Sequence, residues 1–160
     1  MQSNAQSVAV GQERSAGSGR GRLIGVVVVT LVSAAVTMAL GQKIWTVPPG
    51  AAAPPAGLVP FFVMLELAGD VLFGLGVSFV IFGYGLLVRA RQPLWLTYAT
   101  YVSIAWLMLS WWPHGNLHRV TPSGAWLNLL YIDYGFHLSL MVGSAIVALF
   151  FIRTLSAVRD

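Results

Sequence analysis

Four stretches of this chain are long and apolar enough to cross a lipid bilayer, and nothing else in the sequence restricts the possible folds as strongly. They cover residues 23–41, 60–88, 94–112 and 126–152, against the about 20 residues that a helix needs to traverse the hydrocarbon core. Within lipid every backbone N–H and C=O must be satisfied inside the segment, so each run predicts a helix. The expected fold is therefore an all-α membrane protein, a four-transmembrane-helix bundle spanning 23–153. The second run is longer than the core requires and should tilt or protrude. Composition agrees, since 57% of residues are hydrophobic and 9% charged, where soluble chains carry about 25% charged residues. There is no cysteine, so disulfides and thiolate metal ligands are excluded.

The first 22 residues, MQSNAQSVAVGQERSAGSGRGR, are polar and rich in Gly and Ser. They bury too little apolar surface to fold alone and are expected to form a disordered cytoplasmic tail; 154–160 form a second cytoplasmic tail. The 23–41 run could be read as a signal peptide, with ALG at 39–41 as its cleavage site. Its 19 residues exceed the usual apolar region of a signal, which favours an uncleaved helix.

Orientation follows from the basic residues. In a four-span arrangement Arg14, Arg20, Arg22, Arg89, Arg91, Arg153 and Arg159 fall on one side, Lys43 and Arg119 on the other. Basic residues concentrate on the cytoplasmic side, so both termini are expected there, in a multi-pass protein of the cell membrane. The same distribution accounts for the net charge of +4 through helix-flanking arginines that contact lipid headgroups, without a nucleic-acid partner. Trp45, Trp111, Trp112 and Trp126 mark the outer boundary, Trp95 and Tyr98 the inner one. The outer loops, 42–58 and 113–125, differ in kind. Five prolines between 47 and 60 make the first an extended spacer.

Against this apolar background the polar residues within the spans stand out. Glu66, Asp70, Asp133 and His137 lie inside them, where a charged group costs about 2.5–3.5 kcal/mol even on the lenient insertion scale. Counted from the outer helix ends, Glu66 and Asp133 lie roughly 10 Å deep, and Asp70 and His137 roughly 16 Å deep. Residues four apart share a helix face, so ELAGD stacks Glu66 over Asp70 and DYGFH stacks Asp133 over His137. If the two faces meet, they form one site of three carboxylates and an imidazole. His114 and His118 lie above it, although Pro113 and Gly115 leave a helical HxxxH geometry unsettled.

Several carboxylates in a low dielectric require shared protons, a cationic partner or a metal ion. No Lys or Arg lies within a span, which leaves protons, imidazolium or metal. Carboxylate and imidazole donors suit copper, zinc or iron, and Glu66, Asp70, Asp133, His137, His114 and His118 are the candidate ligands. An Asp-x-x-x-His pair on a membrane helix with a further histidine nearby resembles in kind the metal sites of membrane-bound copper monooxygenases; the likeness covers two or three residues and defines no family. Haem would need facing axial histidines at matching depth, and His137 has no such partner.

Gly135, Ser139 and Gly143 form a small-residue stripe about 200° around the helix from Asp133. They mark a close contact with helix 1, whose own stripe is Thr30, Ala34, Thr37 and Gly41, or with a second copy or another membrane subunit. Three function classes fit: a metal-binding protein with an outward-opening site, part of a membrane oxidoreductase; an accessory structural subunit of a larger membrane complex; or a small proton-coupled transporter. Isolated GLG and GYG lie within helix 2 and read as packing glycines.

Overall fold

In a computed structural model of the chain, residues 2–49, 54–122 and 124–157 are described, with side chains described from Gly19 onward. The expected disordered tail, 1–22, falls largely on residues whose side chains lie outside this range. The order of elements is α1 (Gln2–Ile44), a short 3-10 turn (Ala56–Leu58), α2 (Val59–Phe82), α3 (Tyr84–Val88), α4 (Leu94–Leu109), α5 (Trp111–Val120) and α6 (Trp126–Ser156). No strand occurs among the described residues. Three helical stretches are long and apolar enough to cross a membrane: Gly19–Ile44, Ala56–Phe82 and Trp126–Ser156. Their surfaces carry large exposed apolar side chains along their length, among them Leu23, Leu31, Phe61, Leu65, Met141 and Ile152. Such a surface suits lipid rather than water.

The third expected run is organised differently. At 16 residues α4 is short for a span, and the chain pauses at Ser110 before α5 begins. Pro113 explains the break. It has no N–H to return to the carbonyl of Leu109, but proline is tolerated in the first turn of a helix, which is where a restart at Trp111 puts it. The axis is only interrupted, because the Ser110 N–H donates to Trp106 O at 3.0 Å and the His114 N–H to Ser110 O at 3.1 Å. Residues 113–120, expected in an outer loop, are thus helical.

α1 packs on α2; α2 also packs on α4 and α5; and α6 packs on α4 and α5. The α1 stripe meets α2 closely: the Thr30 and Ser78 hydroxyls share a hydrogen bond of 2.8 Å, and Ser78 donates to Val26 O at 3.0 Å. Gly74 makes this approach possible, since a Cβ there would lie 3.1 Å from the carbonyl carbon of Thr30 and 3.2 Å from its Cα. Gly143 and Ser139 of α6 face α4. A Cβ on Gly143 would meet Leu107 at 3.6 Å, and the indole N–H of Trp106 donates to Ser139 Oγ at 2.8 Å. Gly135 has open space around it. The neighbour of this stripe within the chain is therefore α4, not helix 1.

The helix ends sort by charge. Arg22 donates to the carbonyl of Phe82, and Leu87, Leu96 and Phe150 form one buried cluster, so Arg22, Arg89, Arg91 and Arg153 gather at one end of the bundle. Trp45 and Trp112 meet edge to face, centroids 5.9 Å apart, at the other end.

Candidate metal centre

The feature that builds this site is the helical restart of α5. With residues 111–120 helical, His114 and His118 are one turn apart on the same face, ring centroids 4.6 Å apart. That face lies on α6. His118 Nε2 is 2.7 Å from Asp133 Oδ1, and His114 Nε2 is 3.8 Å from the same oxygen. One ligand atom from each of the three residues lies within 4.8 Å of the others. The group could hold a metal ion.

Aromatic packing fixes the first imidazole. His114 stacks on Phe136 with centroids 3.7 Å apart and planes 8° from parallel, and Trp111 closes on the edge of Phe136 at 5.3 Å. His114 lies past the end of the expected 94–112 span. Burial pushes it below the ordinary histidine range, with the positive potential of His118 adding to the shift, Asp133 opposing it and His137 reinforcing it. A neutral imidazole is the form that ligates metal.

His137 stands beside this group, its ring 5.8 Å from that of His114. Its Nδ1 lies 2.7 Å from the backbone carbonyl of Asp133. A carbonyl only accepts, so Nδ1 carries the proton and Nε2 of the neutral ring keeps its lone pair. Metal-ligating histidines are commonly oriented in this way, by donation of the other ring N–H to a backbone oxygen. An open groove lined by Trp126, Leu127, Leu129 and Leu130 leads to His118 and Asp133. A smaller one runs along Leu130, Asp133, Tyr134 and His137.

Glu66 and Asp70 are not brought to this group. The expectation of one site shared by helices 2 and 4 required α2 and α6 to face each other, but the α4–α5 arm stands between them and each packs on that arm. The level matching survives in another form. Neighbouring residues His118 and Arg119 diverge from α5, one towards Asp133 at 2.7 Å and the other towards Glu66 at 3.1 Å. Glu66 and Asp133 thus share a level on opposite sides of α5. Glu66 does have a cationic partner, from outside the expected spans. Arg119, assigned to an outer loop, reaches it because that segment is helical, and Asn116 braces the guanidinium at 2.7 Å. Asp70 is fully buried against α1.

Sequence reasoning missed Phe136 and Arg119. The signal for Phe136 was its position between Asp133 and His137 on the same helix. For Arg119 it was the place next to His118, which falls on a neighbouring face once His114 and His118 share a helix.

No protein-family model, curated protein or solved structure matches this chain.

Proposed function

We propose that this chain is a multi-pass protein of the cell membrane that binds a transition-metal ion at its outer boundary through His114, His118 and Asp133, with His137 as a fourth donor. The observation that carries the reading is the convergence of two imidazoles and a carboxylate, all three ligand atoms within 4.8 Å of one another. Donor atoms around a tetrahedral zinc with bonds of about 2.0–2.1 Å lie about 3.3 Å apart. The separations of 2.7 and 3.8 Å about Asp133 bracket that value. Imidazole with one carboxylate selects zinc, copper or iron over magnesium or calcium.

Depth supports an ion arriving from the outer aqueous phase. The arginine-bearing end of the bundle gives the inner boundary, with both termini on that side. Counting about 20 residues outward from it, the boundary falls near Lys43 on α1, Asp133 on α6 and His114 on the α4–α5 arm, whose part before His114 then serves as the fourth span. The site lies at the headgroup layer, not at mid-bilayer, and the insertion cost of its charges is correspondingly small. With copper or iron the chain would be a redox component of a membrane oxidoreductase; with zinc the site would be structural or hydrolytic.

A second reading rests on the 2.7 Å contact between His118 and Asp133. As a hydrogen bond alone it pins α5 to α6, and the chain is an accessory subunit without metal. Elemental analysis separates the two. The protein is purified in detergent without an affinity tag that binds metal, beside Asp133→Ala and His118→Ala. Stoichiometric metal in the wild type and its loss from both variants is the expected result. Background metal in all three would refute the metal site and leave the lock.

A further inference from the structure

A second polar position is independent of the histidine group. Asp70 is 1% exposed, and neither of its carboxylate oxygens accepts a hydrogen bond. Its surroundings offer a charge only partial compensation. From α1 it faces Thr37, whose hydroxyl is spent on the carbonyls of Ser33 at 3.1 Å and Ala34 at 2.9 Å. From α5 it faces Trp112, whose indole N–H is a donor near the carboxyl, and α4 carries no acidic or basic residue. The charged groups near it are Glu66, one turn outward on its own helix, and Arg119. Arg119 is already engaged by Glu66 at 3.1 Å and Asn116 at 2.7 Å. An ionised carboxylate that accepts no formed hydrogen bond and has no cation paired to it is far more costly to bury than a neutral acid.

The geometry points to Asp70 as a proton-binding site, its carboxyl protonated at neutral pH and in exchange with the outer face through Glu66. Residues 66 and 70 share a helix face, and Glu66 is about half exposed, with 47% of its side chain accessible. A proton leaving Asp70 breaks one O–H bond there and forms one on the Glu66 carboxylate, which then releases it to water. Asp70 is left as the carboxylate until a proton returns by the same route. Such a loadable buried acid supplies a proton-coupled step, and it does so whether or not the histidine group binds metal.

Infrared difference spectroscopy on the full chain in lipid nanodiscs tests this. At pH 7 the wild type should show the carbonyl stretch of a protonated carboxylic acid that shifts in D2O. Asp70→Asn should abolish that band while keeping thermal stability and metal content, because amide and acid are both neutral and nearly isosteric. Glu66→Gln should keep the band and slow its deuterium shift. A wild type without the band, or a band that persists in Asp70→Asn, would show Asp70 ionised and overturn the proposal. Unchanged exchange in Glu66→Gln would overturn the route. Should Asp70→Asn not accumulate, Asp70→Glu keeps a carboxyl and must move the band; an unmoved band also overturns the assignment.

Discussion

Adding one methyl group at Gly74 should destabilise this protein, and adding the same group five residues earlier should not. At Gly74 an alanine Cβ would sit 3.1 Å from the carbonyl carbon of Thr30 and 3.2 Å from its Cα, closer still to the carbonyl oxygen. These are backbone atoms of α1, so no rotamer change relieves the overlap and the two helices must separate. Overpacking of this kind costs about 1–3 kcal/mol. Separation also stretches the 2.8 Å bond between Thr30 and Ser78, whose loss costs about 1 kcal/mol. Against this, replacing glycine by alanine within a helix gains about 1 kcal/mol. The net expectation is a loss of about 1–3 kcal/mol for Gly74→Ala. Gly69 has nothing within 4 Å of its Cβ position, so Gly69→Ala keeps only the propensity gain and should be neutral or slightly stabilising. Thermal unfolding of both variants in one detergent measures the difference, and the opposite signs remove any general effect of the detergent. If Gly74→Ala proved as stable as Gly69→Ala, α1 and α2 would not pack through this face, and the enclosure of Asp70 by α1 would fail with it.

Two further outcomes can be checked on the same preparations. Thr46→Cys should react with a membrane-impermeant maleimide in intact cells and Gln92→Cys only after lysis, in a chain with no native cysteine; the reverse pattern would overturn the orientation. The native fold holds His114 below its ordinary value of 6.5, so it binds fewer protons there than when unfolded. Its contribution is present above that value and should be lost as pH falls through the folded value. His114→Gln should flatten this acid limb of the stability profile, and metal retention should decline as His114 protonates; an unchanged limb would mean that His114 is not buried against Phe136.

The sequence by itself determined the class of fold and the inventory of chemistry. Long apolar runs in lipid leave the backbone no alternative to helices, so three of the four expected spans appear at nearly the expected positions. The cost of charge in such runs likewise singles out Glu66, Asp70, Asp133 and His137 before any contact is known. Composition is a property of each helix alone, and these inferences needed nothing else. Which polar residues meet depends on how the helices are arranged around one another, and equal depth is satisfied by any arrangement of antiparallel helices. The restart at Ser110 and Trp111 decided the outcome. By keeping residues 111–120 helical past Pro113, it carried His118 to Asp133 and Arg119 to Glu66 and inserted α5 between the two acids that counting had paired. Sequence periodicity allowed for a single site between α2 and α6; the packing of α4 and α5 between them made two, because a helix that fills the gap satisfies each acid from its own side.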